Sequence, residues 1–324
     1  MSSGSERGVL PAPFVAVDLP LPGRREGKVR VSYELPYGRR LFVTTDRLSA
    51  FDRVVAGVPY KGQVLNQLAW FWFATTTDIV ANHALGIPDP NALVAQEATP
   101  LPVEVIVRAR ITGSTSTSLW QRYAAGQRHI DGYDLPGGLR KHDELPRPII
   151  TPTTKADMGG HDEPLSSAEV VTRGLVPARV WEQTTEAALA LFARGADVGR
   201  AAGLVLADTK YEFGLAPDGE LLLIDEVHTP DSSRWWVAET LTERLAAGDE
   251  PESLDKEPVR LALAAAGFRG DGTLPDLDPG VWAVTSSRYV NALERLTRER
   301  FEPGTYPVPS RLVANLTNAG VLHG

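Results

Sequence analysis

The sequence predicts an α+β fold in two lobes: a β-rich amino-terminal lobe over 26–108 and a larger mixed lobe over 109–324, with 1–25 as a tail or early loop. Three observations carry this. At about 150 residues per domain, 324 residues make roughly two units. Short β-type runs crowd the first hundred residues, and helix-period blocks dominate the last hundred and fifty or so. No internal repeat marks a solenoid or propeller.

Taken in order, residues 1–25 are rich in Ser, Gly and Pro. Residues 29–35 and 41–45 read as strands, with Pro36-Tyr37-Gly38 as the turn between them. An apolar block at 65–75 carries Trp70, Phe71, Trp72 and Phe73 and reads as a buried helix. Residues 103–111 read as a strand. Residues 112–165 hold many Gly, Pro, Thr and Ser and few apolar runs, which suits a long functional loop. In 178–203, Val180, Thr184, Ala187, Ala188 and Leu191 recur at helical spacing, and Gly203 is a stop signal. Residues 204–207 and 221–227 are β runs, and the turn Ala216-Pro217-Asp218-Gly219 makes them a hairpin. Residues 237–268 and 280–300 read as helices, separated by a loop at 270–279.

Composition narrows the function. Apolar residues at 43 % and charged residues at 23 % are ordinary for a globular chain and exclude a disordered one. Lys and Arg number 33 against 41 Asp and Glu, a net charge of −8, so no overall basic field favours nucleic acid. A local basic pocket for small anions needs no net charge. With no cysteine, disulfides, thiolate zinc and thiol nucleophiles are excluded. Six scattered His with no His-x-x-x-His pair give a zinc hydrolase no ligand set. The most apolar charge-poor stretch, 62–77, is too short to span a bilayer and contains Gln63, Asn66 and Gln67. The amino terminus has no charged region leading into an apolar core, so no signal peptide is expected. A cytoplasmic protein without membrane or nucleic-acid partners is the expectation.

Five polar clusters can carry chemistry. Gly27-Lys28-Val29-Arg30 precedes a strand, and either a phosphate loop or a solvated turn fits it. In Thr45-Asp46-Arg47-Leu48-Ser49-Ala50-Phe51-Asp52, followed by Lys61-Gly62, two aspartates and an arginine flank an apolar pair, which an ion-paired loop fits as well as a functional one. Glu104, Arg108 and Arg110 fall on one face of a strand that ends in Gly113-Ser114, an arrangement suited to an anion. Thr151-Pro152-Thr153-Thr154-Lys155-Ala156-Asp157, leading to Gly160-His161-Asp162-Glu163, gathers hydroxyls, a lysine and acids in the long loop. The fifth is the densest. Asp208-Thr209-Lys210-Tyr211-Glu212 ends one β run and Asp225-Glu226-Val227-His228-Thr229-Pro230-Asp231-Ser232-Ser233-Arg234 ends the next. A hairpin brings Glu212 and Asp225 to one end of the sheet, and two carboxylates with open water positions suit Mg²⁺ on ATP phosphates. An ion-pair network of purely structural purpose is the alternative.

In this order the clusters resemble the SAICAR synthetase family, on the strings GKVR (27–30), TTDRLSAFD (44–52), KGQVLNQ (61–67), PVEVIVR (102–108), ITGS (111–114), TPTTKAD (151–157), ADTKYEFG (207–214), DEVHTPDSSRWW (225–236) and DKEPVR (255–260). The spellings GSTSTSLW (113–120) and DEVHTPDSSR are similar to the subfamily that includes plant enzymes. The resemblance implies a two-lobed fold with ATP between the lobes. It implies a carbon–nitrogen ligase of purine biosynthesis that joins L-aspartate to the carboxylate of CAIR, a carboxylated aminoimidazole ribonucleotide, consuming ATP and forming SAICAR through an acyl phosphate. Carried over by position, Lys28, Arg30, Glu104, Glu212 and Asp225 bind ATP, with Glu212 and Asp225 also holding Mg²⁺. Arg108, Ser114, Asp208, Lys210 and Arg234 bind CAIR, and Lys155, Lys210 and Arg234 act in catalysis. The expected assembly is a monomer or small homo-oligomer. Two other readings stand beside it. A kinase-like phosphotransferase lacks support from any His-Arg-Asp or Asp-Phe-Gly motif. A paralogue acting on a related carboxy-azole nucleotide in nucleoside-antibiotic synthesis keeps the chemistry and changes the pathway.

Overall fold

The computed structural model describes residues 10–115, 117–155 and 162–322. Asp157, Gly160 and His161, singled out in the long loop, lie outside them. The amino-terminal part is built on strands β1 (Arg25–Glu26), β2 (Arg30–Leu35) and β3 (Arg39–Thr44), followed by a hairpin of β4 (Arg47–Ala50) and β5 (Arg53–Gly57). Helix α1 (Lys61–Thr75) comes next, then β6 (Ala84–Asp89) and β7 (Ala92–Gln96). One antiparallel sheet has the order β1-β2-β3-β7-β6. Tyr37 and Gly38, both at positive φ, turn β2 into β3.

The second sheet starts with β8 (Thr99–Arg110). Between β8 and the long central helix lie α2 (Leu119–Ala124), β9 (His129–Ile130), β10 (Tyr133–Asp134), β11 (Glu144–Ile150), β12 (Thr153–Thr154) and α3 (Ser167–Thr172). The stretch expected as loop is therefore largely structured. Its strands are short, and β11 carries two prolines, Pro146 and Pro148, that hide the pattern. They leave a register break between Glu144 and Ile149 against β8.

Helix α4 (Ala178–Ala201) precedes β13 (Leu204–Leu215), β14 (Leu221–Ile224) and β15 (Ser233–Val237). The expected strand at 204–207 thus continues to Leu215, since its polar residues alternate with buried Thr209, Tyr211 and Phe213. The sheet order is β11-β8-β13-β14, with β12 on β8 and β15 on β13. Helices α5 (Ala238–Ala247), α6 (Glu257–Ala265), α7 (Pro279–Thr297) and α8 (Val308–Asn318) complete the chain. Two loop residues, Ser253 and Asp255, break the expected 237–268 helix between α5 and α6; both are buried and bond back to β15.

The main core packs α1, α4 and α7 against the second sheet, with Trp72, Tyr211, Phe213 and Trp235 almost wholly buried. A second core joins Val31, Tyr33, Leu41 and Val43 to Leu312 and Leu316 of α8, and Phe14, Val17 and Leu19 from the early loop pack into it. Helix α8 therefore covers the first sheet. Among the described residues, no helix is long and apolar enough to cross a membrane.

Candidate active site

A polar cleft of about 580 Å³ opens between the Gly27–Arg30 loop, the β4–β5 turn, the second sheet and the start of α6. Period-2 geometry furnishes its floor. Along β8, Glu104, Ile106 and Arg108 point into the cleft, and along β13 Asp208, Lys210 and Glu212 do the same. The antiparallel register sets Arg108 opposite Asp208 and Glu104 opposite Glu212. On the far side of β13, Arg234 lies opposite Asp208.

This register forces a charge problem and its solution. Two carboxylates directly opposite on one face repel. Lys210 sits between them and donates to Glu104 Oε1 at 2.7 Å and to Glu212 Oε1 at 2.6 Å. Lys155, just after β12, pairs with the other oxygen of Glu212. Burial works to raise the Glu212 carboxyl, but Lys210 and Lys155 outweigh it and hold it down at about 2. Burial pulls the Lys210 ammonium down, yet Glu212 and Glu104 raise it well above its ordinary value. For Glu104 burial prevails and pushes the carboxyl up.

A second network centres on Asp208. It accepts from Arg108 Nη1 at 3.0 Å and from Arg234 Nη1 at 2.7 Å. Arg108 Nε also donates to Thr151 Oγ1 at 2.8 Å, so its plane is set from two sides. Arg234 Nη2 reaches Glu257 Oε2 at 3.2 Å, and the Nε groups of Arg234 and Arg260 are buried without an acceptor among the described residues. Unpartnered buried donors on guanidinium groups favour an incoming anion.

The loop after β14 closes the third side. Asp225 has φ 67°, a conformation that suits Asp better than most residues and turns its carboxylate to the cleft. Arg30 pairs with Asp225 and, at 3.2 Å, with Glu226. Asp231 further along is anchored by Lys61 Nζ at 2.8 Å and by the Tyr289 hydroxyl at 2.6 Å. Lys61 is fully buried, so α1 and α7 hold this loop through charge. His228, also fully buried, packs on Trp72, and its Nε2 lies 3.2 Å from the Leu191 carbonyl.

All the residues that the resemblance assigns to ATP, Mg²⁺, CAIR or catalysis line this one cleft except Ser114, which lies half-buried beside it. Gly113 there has φ 115°, and a Cβ on it would lie 2.4 Å from Ser118 Cβ, so glycine is required for the turn. Its neighbours Thr115 and Ser118 face the cleft. Lys28 pairs with Asp52 across the mouth. Arg110, expected on the same face as Arg108, turns instead to Glu144 at 3.1 Å and stacks over Trp236. Strand β8 ends at Arg110 and pairs there with β11, which diverts the side chain. Among the cleft residues without an assignment from sequence are Glu226, Asp231, Lys256 and Arg260. The spacing of Lys256 and Arg260, four apart at the start of a helix, was the available signal.

Paired carboxylates, a glycine–lysine loop and several guanidinium groups around one cleft define an enzyme that handles phosphorylated, anionic substrates. The SAICAR synthetase family profile matches residues 24–275, and the chain belongs to that family. A phosphoribosylaminoimidazole-succinocarboxamide synthase of Legionella pneumophila is 44 % identical over 312 residues, covering 95 % of this chain and 98 % of its own. A chloroplastic enzyme of that name from Vigna aconitifolia is 48 % identical over 241 residues, covering 74 % of this chain and 70 % of its own. The SAICAR synthase of Saccharomyces cerevisiae, solved as its complex with SAICAR, superposes with a TM-score of 0.72 at 31 % identity, covering 93 % of this chain and 99 % of its own.

Proposed function

We propose that this protein joins L-aspartate to the carboxylate of CAIR, converting ATP to ADP and phosphate and yielding SAICAR in purine biosynthesis. The observation that carries the reading is the convergence of Glu212 and Asp225 with Arg30, Lys155 and Lys210 in one cleft, next to a separate guanidinium pair on Asp208. Two anionic substrates need two such groups of cations.

A carboxylate resists amines because its leaving group is oxide. Transfer of the γ-phosphoryl group to a CAIR carboxylate oxygen breaks the bond to ADP and leaves an acyl phosphate. The aspartate amine then attacks the acyl carbon, phosphate departs with the C–O bond, and the amine proton is lost to solvent. Such chemistry needs positioning and charge neutralisation from the protein rather than a nucleophile. Lys28 and Arg30 bind the ATP phosphates. Arg108, Ser114 and Asp208 hold the nucleotide, with Asp208 accepting hydrogen bonds from a hydroxyl or amine. Lys155, Lys210 and Arg234 steady the reacting carboxylate.

Glu212 and Asp225 would hold Mg²⁺. Among the described residues no group of three or more acidic or imidazole side chains is arranged to hold a metal by protein ligands alone. Two carboxylates with the remaining positions left to phosphate and water are the donor set that ion prefers. When bound, it neutralises phosphate charge. The test is ADP release measured with CAIR and with aspartate omitted in turn. Turnover requiring both supports the reading; ADP release without aspartate consumption refutes it.

A further inference from the structure

The cleft cations are almost all spoken for. Lys28, Arg30, Arg108, Lys155, Lys210, Arg234 and Arg260 each have a carboxylate within 4 Å. Lys256 also lines the cleft, and among the described residues no carboxylate forms an ion pair with it. It stands at the N-cap of α6, with Arg260 one turn further along the same face. Arg260 and Lys61 both repel its ammonium, while Asp231 and Glu226 attract it from the loop that carries Asp225. A half-buried cation crowded by two others, with no ion pair of its own among the described residues, gains when an anion joins it.

We propose that Lys256 binds a carboxylate of the amino-acid co-substrate, and so is a determinant of dicarboxylic amino-acid recognition. This rests on the ligase reading above. Its place selects that anion. The Arg108–Asp208–Arg234 network lies along β8, β13 and β15, and the phosphate loop with Lys28 and Arg30 lies across the mouth. Lys256 faces the Asp225–Asp231 loop, on the third side of the cleft, away from both of those groups. The incoming molecule carries two carboxylates, and among the described residues Lys256 is the cleft cation without an ion pair.

Burial holds the Lys256 ammonium down at about 8, further lowered by Arg260 and Lys61 and partly restored by Asp231 and Glu226. The cation is present below that pH and lost above it. The KM for aspartate therefore climbs above about pH 8 in the wild type. Arginine keeps its charge, so Lys256→Arg flattens the rise.

The experiment is steady-state kinetics on the full chain and on Lys256→Met and Lys256→Arg, varying each substrate in turn from pH 6.5 to 9.5 or so. For Lys256→Met the KM for aspartate rises about ten- to a hundredfold, the scale of one charge-assisted bond, while the KM values for ATP and CAIR stay within about twofold. Succinate, a dicarboxylate without the amine, inhibits the wild type competitively against aspartate and loses potency in Lys256→Met by the same factor. An unchanged KM for aspartate, a rise confined to CAIR or ATP, or an identical pH profile in Lys256→Arg overturns the proposal. Should Lys256→Met fail to fold, Lys256→Arg with its pH profile and succinate inhibition decides alone. Wild-type protein that releases ADP without consuming aspartate overturns the ligase reading itself, a result separable from any behaviour of the variants.

Discussion

Glu212→Gln tests the site where structure and chemistry meet. A carboxyl held at about 2 against an ordinary 4.5 favours the ionised form by about 3 kcal/mol, at 1.36 kcal/mol per pH unit. Its side chain is 11 % exposed, so solvent screens little of this. Glutamine keeps the shape and loses the charge, leaving Lys155 without its partner and Lys210 with Glu104 alone. Urea unfolding near pH 7 should therefore show a loss of about 2–3 kcal/mol. The sign fixes the pH window. Because the folded value is depressed, the stabilisation is complete above 4.5 and fades as pH falls through about 2. The difference between wild type and variant is then constant from pH 8 to about 5 and shrinks at lower pH. Turnover should fall by about 10²-fold or more, the scale of losing a preorganised charge. A variant as stable as wild type at pH 7, with unchanged kcat at saturating Mg²⁺, refutes both the network energetics and the assignment.

Three further outcomes follow from the geometry. Lys28→Ala raises the KM for ATP more than that for CAIR in initial-rate assays; the reverse ranking moves Lys28 to the other substrate. Arg108→Lys keeps the charge but loses the fork set by Asp208 and Thr151, so calorimetric titration shows CAIR affinity down by about 1–3 kcal/mol with ATP affinity unchanged. Gly195→Ala in α4 would place a Cβ 2.4 Å from the His228 ring, so although alanine favours helix, thermal melts show a net loss of about 1–3 kcal/mol, and kcat falls because His228 supports the Asp225–Arg234 loop.

Periodicity and turn chemistry made α4, the β2–β3 hairpin and the β13–β14 hairpin legible, because each stands on a local signal. What stayed hidden depends on distant partners. Helix α8 draws its apolar face, Leu312 and Leu316, from a sheet formed some 270–280 residues earlier, and nothing nearby announces that need. The site shows the same division. Lys210 and Glu212 stand out as charges at a β run's end, yet the reason for their alternation lies in β8. The register that sets Glu104 against Glu212 makes a cation between them obligatory, and Lys210 is the residue whose place on β13 supplies it. A ligand cation can share that role only by competing with Lys155 and Lys210 for the same oxygens. The resting cleft is therefore a set of carboxylates already paired with its cations, and on the proposed reading substrates bind by exchange of partners rather than by exposure of bare charge. Lys256 stands outside that exchange: its charge alone does not set it apart from the other cleft cations, and only the pairing of those with carboxylates does.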